Sequence, residues 1–279
     1  MAIAYLNGEW TTPEEARVPV LDRGFMFGDG VYEVMPVYNG KVYTLDEHLR
    51  RLNRSLGEIR LASPHSDEEW CALFDEAIEK GGEDTALLYL QVTRGIAPKR
   101  DHAWPDVSPT VLITVTPAPN FERTDVTPYR MVTLEDFRWG RGDIKVVSLI
   151  ANGLLKNEAL AQGYDDAILI RDGKVTEATS SNVFIATGGK IVTPPLSNYL
   201  LHGITRALAL DLAREGGLPV EEREISAEEL AGADEVWITS TGHEIWPVGE
   251  VDGKPVGNGE PGVMFKALDD LFQQAKQRA

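Results

Sequence analysis

Apolar and polar positions change period repeatedly along the chain, and the changes mark its elements. Ile3 to Leu6 is a short apolar run closed by Asn7-Gly8, and a second apolar run, Val18 to Leu21, leads into the glycine-rich stretch Asp22 to Gly30. Val31 to Val37 and Lys41 to Thr44 flank Asn39-Gly40, which predicts a hairpin. Leu49, Leu52, Leu56 and Ile59 recur at helical spacing behind a Thr44/Glu47 capping box, so a helix is expected from Thr44. Ser66 and Glu69 repeat the device before Trp70, Leu73, Phe74, Ala77 and Ile78, with Gly81 as the stop. Two strands, Ala86 to Thr93 and Thr110 to Thr116, enclose a long polar loop, Gly95 to Pro105.

All periodicity then fails over a proline-containing stretch, which predicts a linker at 119–128 between a smaller domain, 1–118, and a larger one, 129–279. The second half resumes with Met131 to Leu134, a helix around Leu154 to Gln162, a strand Ala167 to Ile170, the run Val175 to Asn182 leading into a strand Val183 to Ala186, and a hairpin at Gly188-Gly189 completed by Lys190 to Thr193. A helix opens at Gly203-Ile204-Thr205 and ends at Gly216-Gly217; Ser226 and Glu229 cap a short helix. Strands Glu235 to Ser240 and Glu244 to Val251 and a closing amphipathic helix, Val263 to Gln273, complete the chain. The expected class is α/β, with an α+β first domain and a strand-rich mixed second domain.

Composition narrows the function. With 279 residues there is ample material for two cores, and a formal charge of −17 argues against nucleic acid or an anionic membrane surface as the main partner. A single cysteine, Cys71, excludes an internal disulfide and the usual zinc sites, and is expected to fill the core. The N-terminus lacks a charged region followed by an apolar run, and no apolar stretch is long enough to cross a bilayer, so a cytoplasmic protein is expected.

Several residues have chemistry that exceeds their structural role. Lys145 lies where a β-rich run gives way to a helical one, and a lysine held there against apolar neighbours can serve as an amine nucleophile; on that stretch alone a solvated surface lysine is the simpler reading. Gly203-Ile204-Thr205 offers backbone amides and the positive end of a helix dipole to a phosphate, or is ordinary capping. Thr239-Ser240-Thr241-Gly242 is a second hydroxyl-rich turn that could hold the same anion or simply end a strand, and Arg51 could supply charge or be a solvated helix cation beside Arg50 and Arg54. Glu177 sits in a neutral β-prone run and must face water or a buried cation. Arg100 and His102 put two donors on alternate positions of one loop, suited to a carboxylate.

Taken in order, Asp22 to Glu33, Glu47 to Leu52, Gln91 to Gly95, Asp143-Ile144-Lys145, Val175 to Phe184, Gly203 to Arg206 and Thr239 to Thr241 resemble the fold-type IV pyridoxal-phosphate enzymes, and among them the D-amino-acid transaminases. The resemblance implies an α+β domain followed by a pseudo-barrel domain, with pyridoxal 5′-phosphate as cofactor. It implies that Lys145 binds the cofactor aldehyde as a Schiff base and carries the proton between the substrate α-carbon and the cofactor. Glu177 would pair with the pyridine nitrogen. Arg51, Ile204, Thr205, Ser240 and Thr241 match the phosphate-binding positions. Tyr32, Arg100 and His102 match the substrate-carboxylate trap, whose loop crosses a homodimer interface in this family. The implied reaction moves the amino group of a D-amino acid, with D-alanine the favoured donor, to a 2-oxo acid such as 2-oxoglutarate.

The sequence departs from the pattern at Pro36, at Gly242, and in the loop Pro98 to His102, which looks one residue longer and leaves open whether Lys99 or Arg100 faces the substrate. Rival readings are a branched-chain L-amino-acid transaminase, an aminodeoxychorismate lyase, and a non-catalytic phosphate-ligand protein on the same fold.

Overall fold

A computed structural model describes residues 3–118, 121 and 126–278, which form two compact units: Met1–Phe121 with Ile144–Leu149, and Glu122–Asp143 with Ile150–Ala279. The expected linker, 119–128, falls largely outside the described residues.

In the first unit the elements are β1 (Ile3–Leu6), β2 (Glu9–Thr11), α1 (Arg23–Phe27), β3 (Gly30–Tyr38), β4 (Lys41–Val42), α2 (Leu45–Glu58), α3 (Asp67–Gly81), β5 (Ala86–Thr93) and β6 (Thr110–Pro117). The strands form one antiparallel sheet in the order β2-β1-β6-β5-β3-β4. Alternation decides which face is covered. Ala86, Leu88, Leu90 and Val92 of β5 are fully buried and join Leu52 and Leu56 of α2 and Trp70 and Phe74 of α3 in one core.

The capping box forms at α3, where Ser66 Oγ accepts from Glu69 N–H and Glu69 Oε2 accepts from Ser66 N–H at 2.8 Å. It does not form at α2. Thr44, between β4 and α2, takes a left-handed φ of 55°, and its hydroxyl donates to the Tyr43 carbonyl instead. The Asp22 to Gly30 stretch also carries a short helix, α1, with Asp22 accepting from Gly24 N–H at its start. Val18 to Leu21 forms no strand.

The segment 144–149, expected within 129–279, packs with the first unit. Val146 bridges Val31 beside β3, and Ile144 and Val146 lie in the core containing Leu52 and Trp70. Burial of two apolar residues flanking Lys145 explains the assignment.

The second unit contains β7 (Tyr129–Glu135), α4 (Ile150–Ala161), β8 (Asp166–Arg171), β9 (Lys174–Ala178), β10 (Asn182–Thr187), β11 (Lys190–Thr193), α5 (Ile204–Glu215), β12 (Val220–Glu222), α6 (Ala227–Ala231), β13 (Glu235–Ser240), β14 (Glu244–Val251), β15 (Lys254–Pro255) and α7 (Val263–Gln277). Its mixed sheet runs β12-β11-β10-β13-β14-β7-β8-β9, with β15 paired to β14. β9 ends the row and β10 stands third from its other end, yet only residues 179–181 connect them, and Ala178 N–H donates to Ser181 O at 2.7 Å. The sheet therefore curls until its last strand returns to β10, giving the barrel-like form that the resemblance implies.

Period-two alternation fills both sides of the curl. Val183, Ile185, Val236 and Ile238 point to an inner core with Met131 and Val248, while Phe184 and Trp237 point to a layer with Leu210 of α5 and Phe265 and Leu268 of α7. Phe184 and Trp237 are register partners across β10 and β13 and stack at 5.8 Å.

Candidate active site

Lys145 enters the first unit through backbone pairing. Tyr32 N–H donates to Lys145 O and Val147 N–H to Gly30 O, both at 3.0 Å, while Lys145 N–H reaches Ser55 Oγ at 3.4 Å. A Cβ at Gly30 would lie 2.6 Å from the Val92 carbonyl, so glycine is required for β3 to begin against β5 here. The half-buried Lys145 side chain lies over the ring of Tyr32, with Nζ 4.2 Å from the centroid. Two predicted residues are thereby brought together. Tyr89 stands beside Tyr32 at 5.8 Å; burial, with the Tyr32 phenol as a smaller contribution, pushes its own phenol up to about 12.

Arg51 lies on the buried face of α2, in the same stripe as His48 and Ser55. Its guanidinium grips Glu33 of β3 with two bonds, Nε to Oε1 at 2.7 Å and Nη2 to Oε2 at 2.6 Å. His48 Nδ1 meets the same Oε2 at 2.8 Å. Burial would raise the Glu33 carboxyl, but the charge and hydrogen bonds of Arg51, helped by His48, outweigh it and hold it at about 2. Burial pushes His48 down, against the pull of Glu33 and with the Arg51 and Lys145 cations acting in the same direction as burial.

Arg100 and His102 lie elsewhere in this unit, exposed, and both pack on Phe27: His102 edge-on at 5.6 Å and Arg100 with its guanidinium 5.0 Å from the ring centre. Lys99 turns outward to Asp101 at 3.1 Å. Arg23, buried in α1, anchors the loop by donating to the carbonyls of Asp101 at 2.6 Å and His102 at 3.4 Å while pairing with Asp29. Arg94 binds Asp29 at 2.9 Å and covers Trp104 at 4.2 Å.

In the second unit, Glu177 of β9 is buried, and the cation that its burial demands is Arg138, which donates to Oε1 at 2.6 Å. Asp136 holds the other side of the guanidinium at 2.9 Å from both Nε and Nη2. Glu177 Oε2 accepts from Leu201 N–H at 2.9 Å and from Asn182 Nδ2 at 3.3 Å. Burial pushes the Glu177 carboxyl up, and Arg138 opposes that push. Asn182 also donates to Leu201 O at 2.9 Å, and its Oδ1 stands where a Cβ on Gly203 would be, 2.0 Å away. Glycine at 203 thus fits the start of α5 against the residue that holds Glu177.

Ile204 opens α5 and Thr205 follows in its first turn; Gly203 caps it without a side-chain bond. Ser240 ends β13 and Thr241 begins the turn to β14. His243 folds back over that turn, its backbone N–H donating to Ser240 Oγ at 3.2 Å.

The family comparison matches residues 30–251 to the amino-transferase class IV model, a span that includes both sets of residues. The chain belongs to the class IV aminotransferases. It is 40% identical over 269 residues to the D-alanine aminotransferase of Bacillus licheniformis, covering 96% of this chain and 95% of that one. The branched-chain amino acid aminotransferase of Escherichia coli superposes with a TM-score of 0.89 at 26% identity, over 98% of this chain and 93% of that one. The branched-chain aminotransferase of the archaeon Thermoproteus uzoniensis, solved with norvaline, gives 0.88 at 28% identity, over 99% and 95%. The chain is an aminotransferase, and its class depends on pyridoxal phosphate.

The aminotransferase has a donor set suited to that cofactor. The start of α5 and the Ser240–Thr241 turn present amides and hydroxyls for a phosphate, and the buried hydroxyls of Ser181 and Thr239 have no protein partner among the described residues. Glu177 offers a carboxylate to a protonated ring nitrogen, and Lys145 an amine to an aldehyde. Asp136, Arg138, Tyr129 and His243 were given no role from the sequence, nor were Glu33, His48 and Asn182, although these three lie inside the motifs that carry the resemblance. Outside those motifs, only Arg138 had a signal: the buried cation that Glu177 required.

Proposed function

We propose that this aminotransferase is a D-amino-acid transaminase, taking D-alanine as donor and a 2-oxo acid such as 2-oxoglutarate as acceptor. The observation that carries the reading is 40% identity to a D-alanine aminotransferase across nearly the whole of both chains, against 26% and 28% to the superposed branched-chain enzymes. The Arg100 and His102 pair supports it, because two donors on one loop suit an α-carboxylate.

In this reading Lys145 Nζ is the nucleophile that holds the cofactor and then carries the α-proton of the substrate. Bound pyridoxal phosphate supplies the electron sink that accepts the resulting carbanion charge. Glu177, fixed by Arg138, Leu201 and Asn182, keeps the ring nitrogen protonated. Arg51, Ile204, Thr205, Ser240 and Thr241 hold the phosphate, and Tyr32 orients the substrate carboxylate with Arg100 and His102. The enzyme works as a cytoplasmic homodimer whose loop from one copy serves the other. Exposure of Leu21, Phe25, Ile96 and Trp104 on the first unit supports a second copy as the cover for that surface. The residues 1–118 and 129–279 act as the smaller and the cofactor-binding domains, with Lys145 contributed from 144–149.

The test offers D-alanine, L-alanine, D-glutamate, L-leucine and an amine with pyruvate or 2-oxoglutarate. D-Alanine should turn over with 2-oxoglutarate. Turnover of L-leucine without D-alanine would replace the reading with the branched-chain one. Lys145→Ala should stop both half-reactions.

A further inference from the structure

Ser240 Oγ has one hydrogen to donate and two lone pairs with which to accept. The backbone N–H of His243 fills one lone pair at 3.2 Å, and His243 Nδ1 faces the same oxygen at 3.2 Å. On the other side of the ring, Nε2 faces the Tyr129 hydroxyl at 2.9 Å. A neutral imidazole has one donor and one acceptor nitrogen, so this chain of three groups has two polarities. In the first, Ser240 donates to Nδ1, Nε2–H donates to Tyr129, and the serine has no hydrogen left for a ligand. In the second, Tyr129 donates to Nε2 and Nδ1–H donates to Ser240. Both serine lone pairs are then filled, and its hydrogen must point away from the ring.

We infer that His243 is a positioning residue for the cofactor phosphate: with Tyr129 keeping Nε2 the acceptor, Nδ1–H makes the Ser240 hydroxyl an outward donor to the anion. The inference rests on the assignment of Ser240 to the phosphate. Burial, with the carboxylates of Asp165 and Asp166, pushes the Tyr129 phenol up, so it retains the proton it must give. Burial and the Lys156 ammonium, opposed by Asp166, push His243 down and keep its ring neutral. The rings of Tyr129 and Trp246 meet His243 edge-on at 5.6 and 5.9 Å and fix its plane. An anion at Ser240 and the Nδ1–H tautomer each favour the other, by the reciprocity of linkage.

The test reads the tautomer directly by 15N NMR of histidine-labelled protein, as holoenzyme, as apoenzyme, and as apoenzyme with inorganic phosphate. The Nδ1–H form of His243 should increase with either anion, and the response should vanish in Ser240→Ala. Cofactor release followed by absorbance should be about threefold to tenfold faster in Tyr129→Phe and His243→Ala. His243→Asn, whose amide can still donate to Ser240, should restore most of the loss. An Nε2–H tautomer in the holoenzyme overturns the proposal, and so does wild-type release in Tyr129→Phe and His243→Ala when Ser240→Ala releases faster. Wild-type release in Ser240→Ala refutes the phosphate assignment itself, a result distinct from failure of His243 alone.

Discussion

Arg138 donates to Glu177 Oε1 at 2.6 Å, and both side chains are buried. The guanidinium does not move freely to make this bond, because Asp136 grips it from the opposite side and the Tyr199 carbonyl accepts from Nη2 at 3.1 Å. Leu201 N–H and Asn182 fix the second carboxylate oxygen. Glu177 is thereby a preset charge rather than one that must be organised when a ligand arrives. Glu177→Gln should lower turnover on the order of 10²–10³-fold, since a neutral amide cannot hold a proton on a ring nitrogen. The absorbance of bound cofactor, followed across pH, should show weaker retention of the ring-protonated form; an unchanged pH profile would remove Glu177 from that role. Arg138→Lys should destabilise the protein by about 3–5 kcal/mol, because a lysine cannot satisfy both carboxylates and leaves a buried charge unpaired. Thermal unfolding measures that loss.

Gly203→Ala should damage the proposed cofactor site without touching any ionisable group. Its Cβ would fall 2.0 Å from Asn182 Oδ1, and Asn182 is the side chain that ties Glu177 to Leu201. Either α5 retreats by about 1 Å or Asn182 turns away, since a Cβ contact shorter than 3.0 Å does not persist, at a cost of about 1–3 kcal/mol. Faster cofactor release together with lower turnover is expected. Retention equal to wild type in a folded Gly203→Ala protein would show that the start of α5 tolerates the shift.

Glu33 and His48 should contribute to the acid limb of stability, beside Asp136, which Arg138 and Thr176 hold at about 2 against its burial. The folded Glu33 value of about 2 lies below the ordinary 4.5, so the folded protein binds fewer protons than the unfolded chain between them. Its contribution is full above 4.5 and is lost as the pH falls through 2. His48 is also depressed, so its contribution is present above 6.5 and begins to fade below that value. Both act in one direction: stability falls with acid. Glu33→Gln should flatten the lower part of the curve and His48→Asn the upper part, in circular-dichroism melts recorded from pH 7 to 2.5. A Glu33→Gln curve parallel to wild type would mean that Arg51 does not hold that carboxylate ionised.

These networks explain which parts of the site were legible. The strands Glu235–Ser240 and Glu244–Val251 and the Ser66/Glu69 cap declare themselves through alternation and local spacing, and the structure places them where the sequence does. Lys145, Glu177 and the Thr205 and Ser240 turns are proposed for the site on a resemblance carried by contiguous motifs. The groups that hold them are not legible in this way: Arg138 lies 39 residues from Glu177 and Tyr129 lies 114 from His243, so no local period links them. Thr44 failed for a related reason. Its spacing to Glu47 promised a cap, but Thr44 takes a left-handed backbone and its hydroxyl bonds the Tyr43 carbonyl, which a local pattern does not encode. The 144–149 segment likewise joins the first unit through Val31, more than a hundred residues upstream.

Arg23 gives the sharpest test of how the proposed substrate loop is held. It is buried, lies outside the proposed carboxylate trap, and donates to the main chain at Asp101 and His102, the second of which is the trap's histidine. Removing it leaves Asp29 paired with Arg94 and takes away the donor that pins the loop carbonyls. If the loop's geometry sets recognition of the α-carboxylate, Arg23→Ala should raise the KM for the amino-acid donor by roughly tenfold, equivalent to about 1.4 kcal/mol. The rate at saturation and the retention of cofactor should change much less, because Arg23 bonds the loop carbonyls and Asp29. Arg100→Ala should give a larger loss in kcat/KM, about 10- to 100-fold, through removal of a charge-assisted bond. The two substitutions act on one loop, so their effects should combine less than additively in a double-mutant cycle. Full additivity would mean that Arg23 stabilises the fold without placing Arg100, and the trap would then have to be positioned from elsewhere.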